Sequence, residues 1–225
     1  MARTAPSAPP KRRRVPRAVR EEQMLEAATR IFAARGFRDA SMDEIAEACG
    51  ITKPMLYAYF DSKEGLFSAA AERASAGLRD SVRAASESER KPELRLWRGL
   101  VAVFQFVDQN RESWSVLYPY GPTTSGPFAE AAARARDAMS GLLTELFAEA
   151  AADEGISASA KRDSEPLAHA LTGATIALAS WSASHPEEGV EAHALRLMNF
   201  AWMGLGNLTR GKLWVPPAER RARRR

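Results

Sequence analysis

The stretch Ser41 to Phe60, SMDEIAEACGITKPMLYAYF, admits few folds. Ser41 with Glu44 three residues on forms a capping box that opens a helix. Ile45, Ala46 and Cys49 give that helix one apolar face, and Gly50 follows where the chain must turn sharply. Thr52 caps a second helix, in whose first turn Pro54 is tolerated because no intrahelical bond there needs its missing N–H. Leu56 and Phe60, four apart, carry the second helix inward, while Lys53, Tyr57 and Tyr59 face elsewhere. Helices this short do not persist alone in water. They must pack on a partner and leave one outer face displayed. That is the arrangement of a helix-turn-helix, whose second helix enters the DNA major groove.

The flanks extend this unit. Leu25, Ala28 and Phe32 recur at helical spacing with Ile31 alongside, which predicts a helix from Arg17 to Arg35 ended by Gly36. Phe37 then packs back into the small core. Asp61 and Ser62 can each cap a fourth helix, with Glu64 three residues after Asp61, running to about Ala85. The polar breaker SESERKP, 86–92, marks a joint.

Charge is distributed unevenly. The 225-residue chain has a net charge of +4, yet residues 1–20 hold seven bases and no acid, and residues 216–225 hold five arginines against Glu219. Without those ends, residues 21–215 carry a net charge of −7. Residues 1–16, rich in Pro, Ala and Arg, read as a disordered basic tail, and 216–225 as a second basic tail. Arg17 and Arg20 stand close enough to the helix-turn-helix to neutralise phosphates. The alternative is a solvated tail that aids solubility. One cysteine, Cys49, excludes internal disulfides and suits a cytoplasmic location; its apolar face makes it a small core residue. No run of about 18 apolar residues spans a membrane, and no apolar segment follows the basic N-terminus as in a secretory signal.

Beyond Pro92 the pattern stays helical. Leu94, Trp97, Val101 and Phe104 form one stripe and Leu96, Leu100, Val103 and Val107 another, as expected of a helix buried on two sides. Trp114 and Tyr118 precede a Gly/Pro-rich loop, 119–127, which holds Tyr120. A long amphipathic helix follows, with Phe128, Ala132, Ala135, Met139, Leu142, Leu146 and Ala150 on one face, and then a polar connector, 152–165. The helix around 163–184 carries Leu167, Leu171, Ala174, Leu178 and Trp181 beside a small-residue stripe, Ala170, Gly173, Ala177, Ser180 and Ser184. The helix around 187–211 carries Leu195, Met198, Trp202 and Leu205 beside Ala194, Leu197, Ala201, Gly204 and Leu208. Each of the last two helices thus has two apolar sides, one for its own domain and one for a second copy. Small residues and near-heptad spacing suit closely crossing helices. A monomer that buries both stripes is the alternative.

Residues 41–67, after the first helix, resemble the N-terminal domain of the TetR family of transcriptional regulators. The matching residues are Ile45-Ala46, Ala48-Cys49-Gly50-Ile51, Leu56-Tyr57, Phe60, Ser62-Lys63-Glu64 and Leu66. Cys49 and Pro54 depart from the family's usual Ala and Gly. The resemblance covers about 45–50 residues; beyond them only length and helical pattern fit. It implies an all-α fold: a three-helix helix-turn-helix domain over 17–62 and a larger helical ligand-binding and dimerisation domain over 63–215. It also implies that Ser41 and Lys63 bind phosphates, that Thr52, Lys53 and Pro54 approach base edges, and that Tyr57 and Tyr59 touch the DNA backbone. Hydroxyls, lysines and helix N-termini suit those partners. For the two tyrosines the alternative is packing in a small core. A homodimer is expected, sealed by two helices from each chain, with Ala170, Gly173, Ala177, Leu195, Met198, Trp202 and Leu205 as interface residues.

These features predict a ligand-responsive regulator that binds a near-palindromic operator as a dimer. Repression is the family's commonest mode. A small apolar or amphipathic effector would sit among Trp97, Phe104, Trp114, Tyr118, Trp181 and Trp202, each of which is otherwise an ordinary core residue. A helical protein-interaction module with a vestigial DNA-binding unit is the alternative. Catalysis is not expected. His169, His185 and His193 form no local ligand pair, no Gly-rich phosphate loop follows a strand, and no cofactor is called for.

Overall fold

The computed structural model describes residues 16–118, 126–153 and 158–209, the side chains of 150–153, 158–163 and 203–209 excepted. The two basic tails apart from Pro16, Tyr120, the loop over 119–125 and the side chain of Leu205 lie outside what is described.

The described chain is all-α. α1 spans Arg17–Asp39, α2 Met42–Ala48, α3 Lys53–Phe60 and α4 Lys63–Glu87. α5 spans Pro92–Gln109, α6 Arg111–Leu117, α7 Pro127–Asp153, α8 Ala158–Ala183 and α9 Val190–Thr209, with a single 3-10 turn at Pro186–Glu188 before α9. Gly36 does interrupt the first helix: its φ of 73° and ψ of 171° are non-helical, and a short helical turn resumes after it. Gly50 takes φ 63° in the turn between α2 and α3, a conformation that costs glycine nothing. The chain reverses again at Asp61, which holds φ 58° and belongs to one of the few residue types that adopt positive φ. Ser62 then caps α4, its Oγ accepting the Gly65 N–H at 2.9 Å.

Four features depart from the sequence expectations. α6 appears where the pattern gave only isolated aromatics; its seven residues are too few to show a period. The polar connector is shorter than 152–165, since α7 runs to Asp153 and α8 begins at Ala158. Its residues Ala160-Lys161-Arg162 are good helix formers that polarity alone misassigns. On α8 a buried line, Ala168, Thr172, Thr175, Ala179 and Ser182, runs beside Leu171 on the side opposite the small-residue stripe, and its small and polar residues carry no apolar period. Leu94 of the first α5 stripe is also exposed, because it lies in the helix's opening turn, beyond its neighbours.

One apolar core runs through the molecule. In the N-terminal head, Met24, Leu25, Ala28 and Phe32 of α1 meet Ile45 and Ala46 of α2 and Leu56 and Phe60 of α3. α4 carries the core onward through Leu66, Phe67, Ala70 and Leu78, packing on α1, α5 and α7. α6 wedges against α1 and α4, and α8 lies between α7 and α9. Four phenylalanines lock head to body: Phe67 lies 5.2 Å from Phe32, 5.5 Å from Phe37 and 4.5 Å from Phe128 of α7, between ring centroids.

Candidate nucleic-acid interface

The displayed face of the head is set by which residues its small core takes. Leu56 and Phe60 are buried, so Thr52, Lys53, Pro54, Met55, Tyr57 and Ala58 of α3 and its cap stand exposed. Met55 was passed over by a reading that sends apolar residues inward. It lies about 100° round the helix from Leu56, which was the available signal, and it can meet a thymine methyl.

Ser41 caps α2 as expected, its Oγ accepting the Asp43 N–H at 3.1 Å. Glu44 does not complete the capping box; its carboxylate pairs with Arg35 at 3.4 Å, a full opposite charge brought over from α1. Thr52 occupies the cap position of α3, but its hydroxyl makes no cap bond. Lys53 heads α3 and reaches back to Asp43, with Nζ 2.9 Å from Oδ2. That hydrogen bond, more than the bare charge, raises the lysine pKa and keeps it cationic.

The flanking cations are placed with equal definition. The Arg17 guanidinium lies 5.1 Å over the Tyr59 ring, so α1's first residue is stacked beside α3. Tyr59 is only half-exposed, packed between Arg17 and Phe60. Arg20 is half-buried next to it in sequence. Lys63 donates from Nζ to the Arg38 carbonyl at 3.0 Å and sits 4.9 Å over the Phe37 ring. It thereby closes the chain after the Gly36 break, and an ammonium with three donors has others left for a phosphate. Cys49 is half-buried, its thiol 3.8 Å from the Gln23 carbonyl, and burial pushes its pKa up against the pull of Arg30 and Arg20. It is a packed, protonated thiol.

Of the residues expected to hold an effector, four make ring contacts in the body. Trp114 and Tyr118 are both buried, their rings tilted to each other with centroids 4.6 Å apart. Burial pushes the Tyr118 pKa up to about 12. Phe104 stacks on His193, and Trp181 stacks on His185 at 3.9 Å while meeting His193 edge-on. A cleft of about 70 Å³ beside this group includes Phe104 with Val107, Asp108, Ser182 and His193, and none of the five other candidates. Trp97 and Trp202 are half-buried, and Trp181 is 42% exposed on the outer side of α8. Buried polar atoms without a hydrogen-bond partner among the described residues are Trp114 Nε1, Ser140 Oγ, Thr172 Oγ1 and His193 Nε2.

The described interface candidates follow one line of exposed or half-exposed positions on each of α8 and α9. Ala170, Gly173 and Ala177 are exposed on α8, and Leu195 is 53% exposed on α9 with Met198 and Trp202 half-exposed along the same line. Ala194, Leu197 and Ala201 of the other α9 stripe are buried in the chain's own core. Phe200, 74% exposed, belongs to neither stripe and was not anticipated.

Residues 24–70 match the bacterial regulatory proteins of the tetR family, and residues 92–204 match the tetracyclin repressor-like C-terminal domain. The chain is similar to the HTH-type transcriptional activator FasR of Mycolicibacterium smegmatis, 28% identical over 196 residues and covering 87% of each chain. It is similar in structure to a TetR-like transcriptional regulator from Rhodococcus sp. RHA1, with a TM-score of 0.67, 38% identity, and coverage of 86% of this chain and 99% of that one. FadR of Bacillus subtilis, solved with stearoyl-CoA, shares the fold at a TM-score of 0.68 and 12% identity, over 80% of this chain and 96% of its own. With a helix-turn-helix head and a helical body each matched in the same order, the chain belongs to the TetR family of bacterial transcriptional regulators.

Proposed function

We propose that this regulator works in the cytoplasm as a homodimer that reads a near-palindromic operator and changes its grip when a small amphipathic or apolar molecule enters the body. The single observation that carries the dimer is the strip of Ala170, Gly173, Ala177 and Trp181 on α8 and Leu195 on α9, which faces outward while the other side of each helix is buried. Small residues let two such helix pairs approach closely as a four-helix bundle. Two α3 helices held about 34–36 Å apart would meet successive major-groove faces of one duplex.

The contacts proposed follow from position. Thr52, Lys53, Pro54 and Met55 head the reading face, Tyr57 stands at its edge, and Ser41, Arg17, Arg20 and Lys63 meet phosphates around it. Tyr59 contributes by orienting Arg17. For the effector, the aromatic interior of α5–α9 supplies apolar surface, and the unpartnered Trp114 Nε1–H asks for one hydrogen-bond acceptor in an otherwise greasy molecule. The same fold holds such a molecule, stearoyl-CoA, in FadR of Bacillus subtilis. A ligand that prefers one separation of the heads needs a coupling of about 1–3 kcal/mol to act.

Repression remains the reading for an operator that overlaps a promoter. FasR of Mycolicibacterium smegmatis is named an activator, and the E. coli relative BdcR a repressor, so operator position decides the sign. Selection of bound sequences from random DNA tests the proposal directly. A two-fold symmetric site bound in a salt-dependent manner is expected; sequences with no shared half-site would sink it.

A further inference from the structure

Lys53 is the sole base between Ser41 and Phe60, and it stands at the first position of the recognition helix. A cation there opposes the positive end of the α3 dipole. Asp43, in the first turn of α2, supplies the opposite charge from outside the helix, at 2.9 Å. Its own position is fixed, because its N–H is held by Ser41 Oγ. The two neighbouring acids are deployed otherwise: Glu44 is drawn to Arg35, and Glu47 lies exposed one turn further along α2. The pair therefore bridges the two helices that must approach DNA together, with its charges facing solvent.

We infer that Asp43 is a specificity-determining residue, which holds Lys53 across the α2–α3 corner so that the lysine reads a guanine edge and is withheld from indiscriminate contact with phosphates. This rests on the reading of α3 as the operator-reading helix. The chemistry is a competition for one ammonium. Lys53 has three donors and spends one on Asp43, so two remain for guanine O6 and N7 without breaking the pair. A phosphate that takes the same donors brings a full negative charge up to the Asp43 carboxylate, whereas a guanine edge brings none. Any duplex offers phosphates, whereas only some offer guanine at the right step. The carboxylate thus lowers affinity for all DNA while sparing the sequences that accept the paired lysine.

The test compares a duplex selected from random DNA with a scrambled duplex of equal length and composition. Asp43→Asn is expected to tighten binding to the scrambled duplex by about three- to fivefold, the range an exposed ion pair allows. Its salt dependence should steepen by about one unit, the mark of one further phosphate contact. The selected duplex should gain less, so discrimination falls. In a Lys53→Met background Asp43→Asn should leave discrimination unchanged, and Asp43→Glu, which keeps a carboxylate, should retain most of the discrimination. Discrimination unchanged in Asp43→Asn overturns the assignment. So does an equal loss of discrimination in the Lys53→Met background, since Asp43 would then act without the lysine. Wild-type protein that binds both duplexes alike overturns the operator reading itself, before any variant is made.

Discussion

In the head, formed by α1–α3, the face displayed by α3 mixes Thr52 and Lys53 with the partly exposed Met55 and Tyr57. In the body, formed by α4–α9, the last two helices expose larger apolar side chains, Trp181, Leu195 and Phe200, and Ala170, Gly173 and Ala177 leave room for a close neighbour. The head's free surface suits a charged, hydrated partner and the body's a protein surface. The head's α2 and α3, seven and eight residues long, also borrow stability from α1 and α4, while the body's α7 runs to 27 residues. A recognition surface can be small because something larger fixes it in space.

The sharpest way to break that division is at the seam. Phe67→Ala removes the ring that touches Phe32, Phe37 and Phe128, and should cost about 3–5 kcal/mol in chemical denaturation followed by circular dichroism. A single cooperative transition is expected; a head that already melts separately in the wild type would show the two parts to be independent. Leu195→Glu places a charge on the outward strip of α9. It should leave the fold intact, convert dimer to monomer in analytical ultracentrifugation, and weaken operator binding on the order of a hundredfold through loss of the second half-site. A dimer that persists would move the interface off this strip.

Tyr118 gives a pH probe of the body alone. Its folded pKa, about 12, lies above the ordinary tyrosine value of 10. Its contribution is therefore complete below pH 10 and is lost as the pH rises toward 12, because the unfolded chain releases the phenolic proton first. Stability should fall by about 2 kcal/mol over that window, and Tyr118→Phe should flatten the decline. Smallest is Ser62→Ala, which deletes the cap at the start of α4 and should cost about 1 kcal/mol, with a larger loss in operator binding than in thermal stability if the head depends on α4's entry angle.

The two regions were also unequally legible in the sequence. Ser41 to Phe60 declared its turn, its caps and its inward residues within 20 residues, because a helix-turn-helix is a local object. What escaped there was set by distant parts of the chain: Lys63 bonds a carbonyl 25 residues earlier, and Arg35 takes the glutamate expected to close the capping box. In the body, the outward and inward sides of α9 were separable because both are strongly apolar and in register. On α8 the buried line runs through Thr172, Thr175 and Ser182, and hydroxyls at helical spacing carry no hydrophobic signal. Their burial is allowed by local bonds such as that from Thr175 Oγ1 to the Leu171 carbonyl. α6 was lost for its brevity, although it packs against α1 alongside α4.

The stacking of Arg17 on Tyr59 has a geometric consequence for the length of DNA engaged. It anchors the start of α1 at the flank of the recognition helix. Arg14 lies three residues before that anchor and Lys11 six, so chain length holds their Cα atoms within about 10 and 20 Å of it. That tether is shorter than one turn of duplex. On the dimer proposed above, a basic arm so tethered would reach only the groove and phosphates bordering its own half-site; nuclease protection is then expected to overhang the bases read by α3 by a few base pairs on that border and to shrink when residues 11–14 are neutralised.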